Sequence, residues 1–110
     1  MSEKSDKTHQ ELWEQYMEVE RRELEQRRNG HLGRALVRAL PGESQEELER
    51  IGEEDRRKAE QGLVELRSGD EVWYKHIDEL TREDRPARIE SENVRATWLQ
   101  ERLNRQPRPQ

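Results

Sequence analysis

Three histidines, 26 carboxylates, 17 arginines and no cysteine make up the reactive inventory of this 110-residue chain. Without a thiolate there is no disulfide, no thiolate metal site and no cysteine nucleophile. His9, His31 and His76 never fall one helical turn apart, so the two-imidazole face of a helical zinc site is absent. His76 with Asp78 and Glu79 comes nearest to a ligand cluster, but in a chain with 26 carboxylates such neighbours arise by chance. Carboxylate pairs carry as little signal, because an acid–base pair needs a pocket that drives its two pKa values apart. Ser44 and Ser68 sit where a helix cap and a turn are expected, and no nucleophile elbow or triad spacing occurs. Neither G-x-x-x-x-G-K-[ST] nor G-x-G-x-x-G is present. The chain therefore reads as non-enzymatic, with no catalytic residue, no metal ligand and no cofactor.

The arginines and the large rings are better candidates for contact chemistry. Arg27 and Arg28 precede Asn29-Gly30, and Arg34 and Arg38 follow it four residues apart, the spacing of one helical face. Such a cluster suits an acidic protein surface. With Arg21 and Arg22 it also suits phosphates, and a helix, an Asn-Gly turn and a second helix are compatible with a helix-turn-helix. Against nucleic acid, the second helix exposes little besides Arg34 and Arg38, whereas base readout needs several polar side chains. Gly30-His31-Leu32-Gly33 has the G-x-x-G spacing that clamps RNA backbones, but no strands are legible beside it. Trp73 and Tyr74 are adjacent, so they point in different directions on a helix or a strand, and one of them is expected at an interface.

These groups must be positioned by helices. Thr8 and Glu11 form a capping box for a first helix over 8–29, ended by the left-handed position that Asn29-Gly30 supplies. Leu12, Trp13, Tyr16, Met17 and Leu24 share its broad apolar face, the expected self-association surface. A short second helix over 32–40 buries Leu32, Leu36 and Leu40 and stops at Pro41-Gly42. Ser44 and Glu47 cap a third, which can run to about Arg67 and be followed by a short helix to Leu80. The same stretch also reads as a β-hairpin turning at Ser68-Gly69-Asp70, since Val, Trp and Tyr favour strands. Pro86 opens a last helix over 86–104 with Ile89, Val94, Trp98, Leu99 and Leu103 as its apolar positions.

The expectation is thus a mainly α fold: a small elongated helical domain of four to five helices over residues 8–104, with one short β-hairpin around 63–76 as the open alternative. Residues 1–7 and 105–110 are expected to be disordered ends. Apolar residues are 28% of the chain and charged residues 43%, too little apolar surface for a large monomeric core. The longest apolar runs are three residues, and the first ten residues have no apolar stretch, so a membrane span and a secretory signal are not read. Charge alternates in blocks: residues 1–20 carry net −4, 21–38 net +4, 42–80 net −7 and 81–110 net +2. Missing chemistry, surplus rings and segregated charge point to a cytoplasmic adaptor, regulator or inhibitor. Its expected partner is a larger protein with an acidic surface, and the chain itself a homodimer. Size and composition also suit a phage or plasmid accessory protein, and a nucleic-acid-binding regulator using residues 21–38 is the alternative.

Overall fold

The computed structural model describes residues 2–106, and side chains over 8–106. Helix α1 (Ser2–Arg28) is followed by a short α2 (His31–Ala35) and by α3 (Gln45–Glu60). Strands β1 (Leu63–Ser68) and β2 (Glu71–His76) form an antiparallel hairpin, two 3-10 turns follow, and α4 (Arg85–Arg105) closes the described chain. The molecule is mainly α and elongated, with extents of 59 × 32 × 27 Å.

Several boundaries follow from local chemistry as expected. Gly30 takes the left-handed φ of 79° that ends α1. Ser44 accepts the Glu47 N–H at the start of α3, and Pro86 sits in the first turn of α4. The first helix, however, begins at Ser2 rather than Thr8. Nothing in residues 2–7 breaks a helix, and extending one already nucleated needs only one more bond per residue. Met1 and residues 107–110 of the expected disordered ends lie outside the described residues.

Two of the open readings resolve. The third helix stops at Glu60, and the helical alternative for 70–80 gives way to the hairpin. Gly62 adopts φ 76°, and a side chain there would meet the His76 imidazole at 2.5 Å, so only glycine lets the chain reverse into β1. The register then pairs Leu63 with His76 and Ser68 with Glu71, placing Gly69-Asp70 as a two-residue turn. The alternation of β1 buries Val64 and Leu66 on one face.

The second helix ends at Ala35, not at Leu40. Pro41 bars Leu40 from the α region, and side chains satisfy the backbone of residues 37–40 instead. Ala39 N–H donates to Gln45 Oε1 at 3.0 Å, Gln45 Nε2 donates to Val37 O at 3.2 Å, and Leu40 N–H donates to Glu43 Oε1 at 2.8 Å. Leu32, Leu36 and Leu40 are buried all the same, while Val37 faces solvent.

Two separate apolar clusters result. Met17, Leu24, Ala59, Val64, Leu66, Ile77 and Leu80 form the larger one, between α1, the end of α3 and the hairpin. Leu32, Leu36 and Leu48 form the smaller one, with Trp98, Leu99 and Ile51 against it. There α3 and α2 approach so closely that a Cβ on Gly52 would lie 2.9 Å from Gly33 Cα. The G-x-x-G spacing of residues 30–33 thus serves a helix stop and a helix crossing. α4 runs past both clusters, and polar groups bridge the space between them.

Candidate interaction groove

α1 and α4 lie side by side and run in the same direction. Arg85 of α4 stacks on the Tyr16 ring at 4.8 Å, Arg88 bonds Glu20 and Glu23, and further along Arg27 and Arg95 both approach Asp55 of α3. Long side chains rather than close backbone packing connect the two helices. Between them an open cleft of about 550 Å³ is left, walled by Val19, Ile51, Ala96 and Leu99 and floored by charged groups. It continues past Gln26 toward Leu32.

The floor is a belt of ion pairs. Arg88 is buried and donates to Glu20 at 2.6 Å, Glu23 at 3.0 Å and the carbonyl of Glu65 at 3.3 Å, and it lies 3.3 Å from Glu92. Burial opposes its charge, but the three carboxylates hold its pKa above the usual arginine value. Glu92 is pushed up to about 8 by burial, by its hydrogen bond to Glu20 and by the neighbouring carboxylates, against the pull of Arg88. Tyr16, half-buried beside Glu20, is raised to about 12, first by burial and then by that carboxylate. Oxygens of Glu20, Glu23 and Glu92 lie within 4.8 Å of one another, a spacing that could hold a cation. The guanidinium of Arg88 already fills that role, and a metal would have to displace it.

Arg27 donates to Asp55 Oδ1 at 3.0 Å and to Leu63 O at 2.8 Å, joining α1 to α3 and β1. The Asp55 side chain is 9% exposed, and its Oδ2 has no hydrogen-bond partner among the described residues. Arg95 stands 3.9 Å from Asp55 and 4.0 Å from Glu65, close enough for charge but too far for hydrogen bonds. An enclosed acceptor without a partner thus lies beneath the groove, beside a loosely held guanidinium that lines it.

The arginine cluster of the sequence is not a continuous basic face. Arg27 is an internal strut, and Arg28 donates to Ala59 O at 3.0 Å. Arg34 and Arg38 do not share a helix face, because α2 ends between them; Arg34 turns back to the carbonyl of Asn29, and the Arg38 carbonyl accepts from Arg102 at 3.0 Å. Trp73 packs on the larger cluster, whereas Tyr74 is exposed, bonds Glu65 at 3.3 Å and lies under Lys58 at 4.0 Å. Of the expected self-association face, Met17 and Leu24 belong to the chain's own core, Trp13 and Tyr16 are half-buried with ring centroids 5.3 Å apart, and only Leu12 is free.

On α4 the expected apolar face is split. Trp98 and Leu99 pack on the smaller cluster, but Ile89, Val94 and Leu103 are exposed, and Arg88, Ser91 and Arg102 are buried. The signal for this was a spacing: Arg88, Arg95 and Arg102 recur every seven residues, one position before the exposed Ile89, Ala96 and Leu103. Two heptad stripes, one cationic and inward, one apolar and outward, occupy adjacent lines of the same helix. Val19 lies seven residues from Leu12, and both are more than half exposed, at 56% and 54%.

Comparison with protein-family models, with curated proteins and with solved structures finds no match to this chain. Among the described residues no helix is long and apolar enough to cross a membrane.

Proposed function

We propose that this chain is a non-catalytic protein-binding module, a cytoplasmic adaptor, regulator or inhibitor, that takes a helix of a second polypeptide into the groove between α1 and α4. The observation that carries the reading is that Val19 on α1 and Ala96 on α4 line the groove from opposite helices, and each is continued along its helix at seven-residue spacing by exposed apolar residues, Leu12 on α1 and Ile89 and Leu103 on α4. Two parallel helices lined in this way present the ridges against which a third helix packs through its own i, i+3, i+4 and i+7 side chains. The groove floor adds specificity through Arg95, which has no close bond to break before it accepts a new partner. Arg27 is taken up by internal bonds, and Arg28 and Arg34, although exposed, are held by the carbonyls of Ala59 and Asn29, which argues against a free basic face for phosphate.

The test is affinity capture from the native host with three baits. Wild type and a Val37→Glu control, altered at an exposed valine away from the groove, are expected to retain the same protein in stoichiometric amount. Val19→Glu combined with Ala96→Glu is expected to lose it. Retention by all three baits, or a nucleic acid in place of a protein, overturns the reading.

A further inference from the structure

We infer that the helix filling the groove is α1 of a second copy of this chain, laid antiparallel to the first, so that the protein is a symmetric homodimer. The inference rests on the groove reading and names its occupant. α1 offers what the groove needs, because Leu12 and Val19 stand out from it at heptad spacing and the described residues leave each more than half exposed. It is also longer than its own core requires. α1 begins at Ser2, but Trp13 is the first described side chain of the helix that packs on the core.

Charge sets the direction. Within α1, residues 2–20 carry net −4 and residues 21–28 net +2. Glu11, Glu14 and Glu18 are exposed before the change of sign, and Arg21, Arg22 and Arg28, with Glu25 among them, after it. Two copies of α1 in parallel would set like halves against each other; antiparallel, each acidic half meets a basic one. The sign changes between Glu20 and Arg21, beside Val19, so the two-fold axis crosses the helix near that residue. Val19 then packs on its own copy. Leu12 of one chain comes opposite Gln26 of the other, which lies at the same distance from Val19 and lines the groove. An isologous contact of this kind supplies both chains with the same cover.

The chain has no cysteine, so single introduced thiols report the arrangement directly. Wild type at tens of micromolar is expected to sediment at twice 13.3 kDa, and Val19→Glu at one chain mass with an unchanged helical signal. On oxidation, a mixture of Leu12→Cys and Gln26→Cys chains is expected to cross-link, while neither does so alone. A monomeric wild type overturns the inference, and so does a dimer whose mass ignores Val19→Glu. Self-cross-linking of Leu12→Cys without the mixed product overturns the antiparallel arrangement. A monomer that still captures another protein through Val19 and Ala96 leaves the groove reading standing, so the two failures are distinct.

Discussion

Arg88 stands among three carboxylates, and Arg102, fourteen residues along the same helix, meets the single carboxylate of Glu43, which Arg105 also approaches at 3.7 Å. The two guanidiniums are buried to the same degree, at 6% and 3% exposure, yet their acidic partners hold protons in opposite ways. Glu92 is raised to about 8, first by burial and then by its hydrogen bond to Glu20. Glu43 is lowered to about 2, first by the hydrogen bond from Arg102 and then by the Leu40 N–H. Burial of the arginine is common to both, so it does not set the difference. The carboxylates do: Glu92 is itself part-buried and shares one guanidinium with two other acids, so it keeps a proton to about pH 8, whereas Glu43 has Arg102 and Arg105 beside it and stays charged down to about pH 2.

The largest expected effect follows from removing the cation in the acid-rich cluster. Arg88→Leu leaves Glu20 buried without its counter-ion and strips a donor from the Glu65 carbonyl. The cost is expected at ~3–5 kcal/mol, the range for breaking a buried pair from one side. Urea unfolding monitored by circular dichroism reads it, and Arg88→Lys should recover only part, since an ammonium cannot fork to several acceptors at once. Arg102→Leu is expected to cost less, ~1–3 kcal/mol, because Glu43 can turn to water and chiefly the Arg38 carbonyl is left unpaired. If Arg102→Leu proves the more damaging of the two, the setting of the carboxylates is not what separates the clusters.

The clusters also mark where sequence reasoning runs out. Helix ends were legible because their chemistry is local: Asn29-Gly30 stops α1, Ser44 caps α3 and Pro86 opens α4 within one turn of the residues that signal them. The hairpin was legible only as an alternative, since the decisive residue, Gly62, combines a positive φ with the lack of a Cβ that would meet a histidine fourteen positions away. The burial of Arg88 and Arg102 was hidden by composition. With 43% of the chain charged, an inward arginine differs from a solvated one only by the partner it meets, and Glu20 and Glu43 lie far off in sequence. For the same reason Ile89 and Leu103 looked like core. Apolar periodicity marks a face, but here α4 carries a second stripe beside it, and the ion pairs took the inside.

The smallest expected effect is also the one that separates the clusters most directly, their response to pH. Glu92 has a folded pKa near 8 against a reference of 4.5, so between those values the folded chain binds the proton more tightly than the unfolded one. The stability it contributes is complete below pH 4.5 and is lost as pH rises toward 8. Glu43 runs the other way. Its folded pKa near 2 lies below the same reference, so its contribution is complete above pH 4.5 and is lost as pH falls toward 2. Together the two groups place a stability maximum in mildly acidic solution, with one cluster responsible for each limb. Glu92→Gln keeps a hydrogen bond to Glu20 without the titration, and is expected to flatten the decline from pH 5 to 8 while leaving the acid limb intact. Glu43→Gln is expected to shallow the acid limb alone, with Asp84, itself lowered by the Thr81 N–H and Lys75 against its burial, accounting for part of what remains. Both are read from urea midpoints across a pH series. A Glu92→Gln protein that still loses stability with the wild-type slope up to pH 8 would show that the acid-rich cluster holds no extra proton, and the contrast between the two ends of α4 would reduce to geometry.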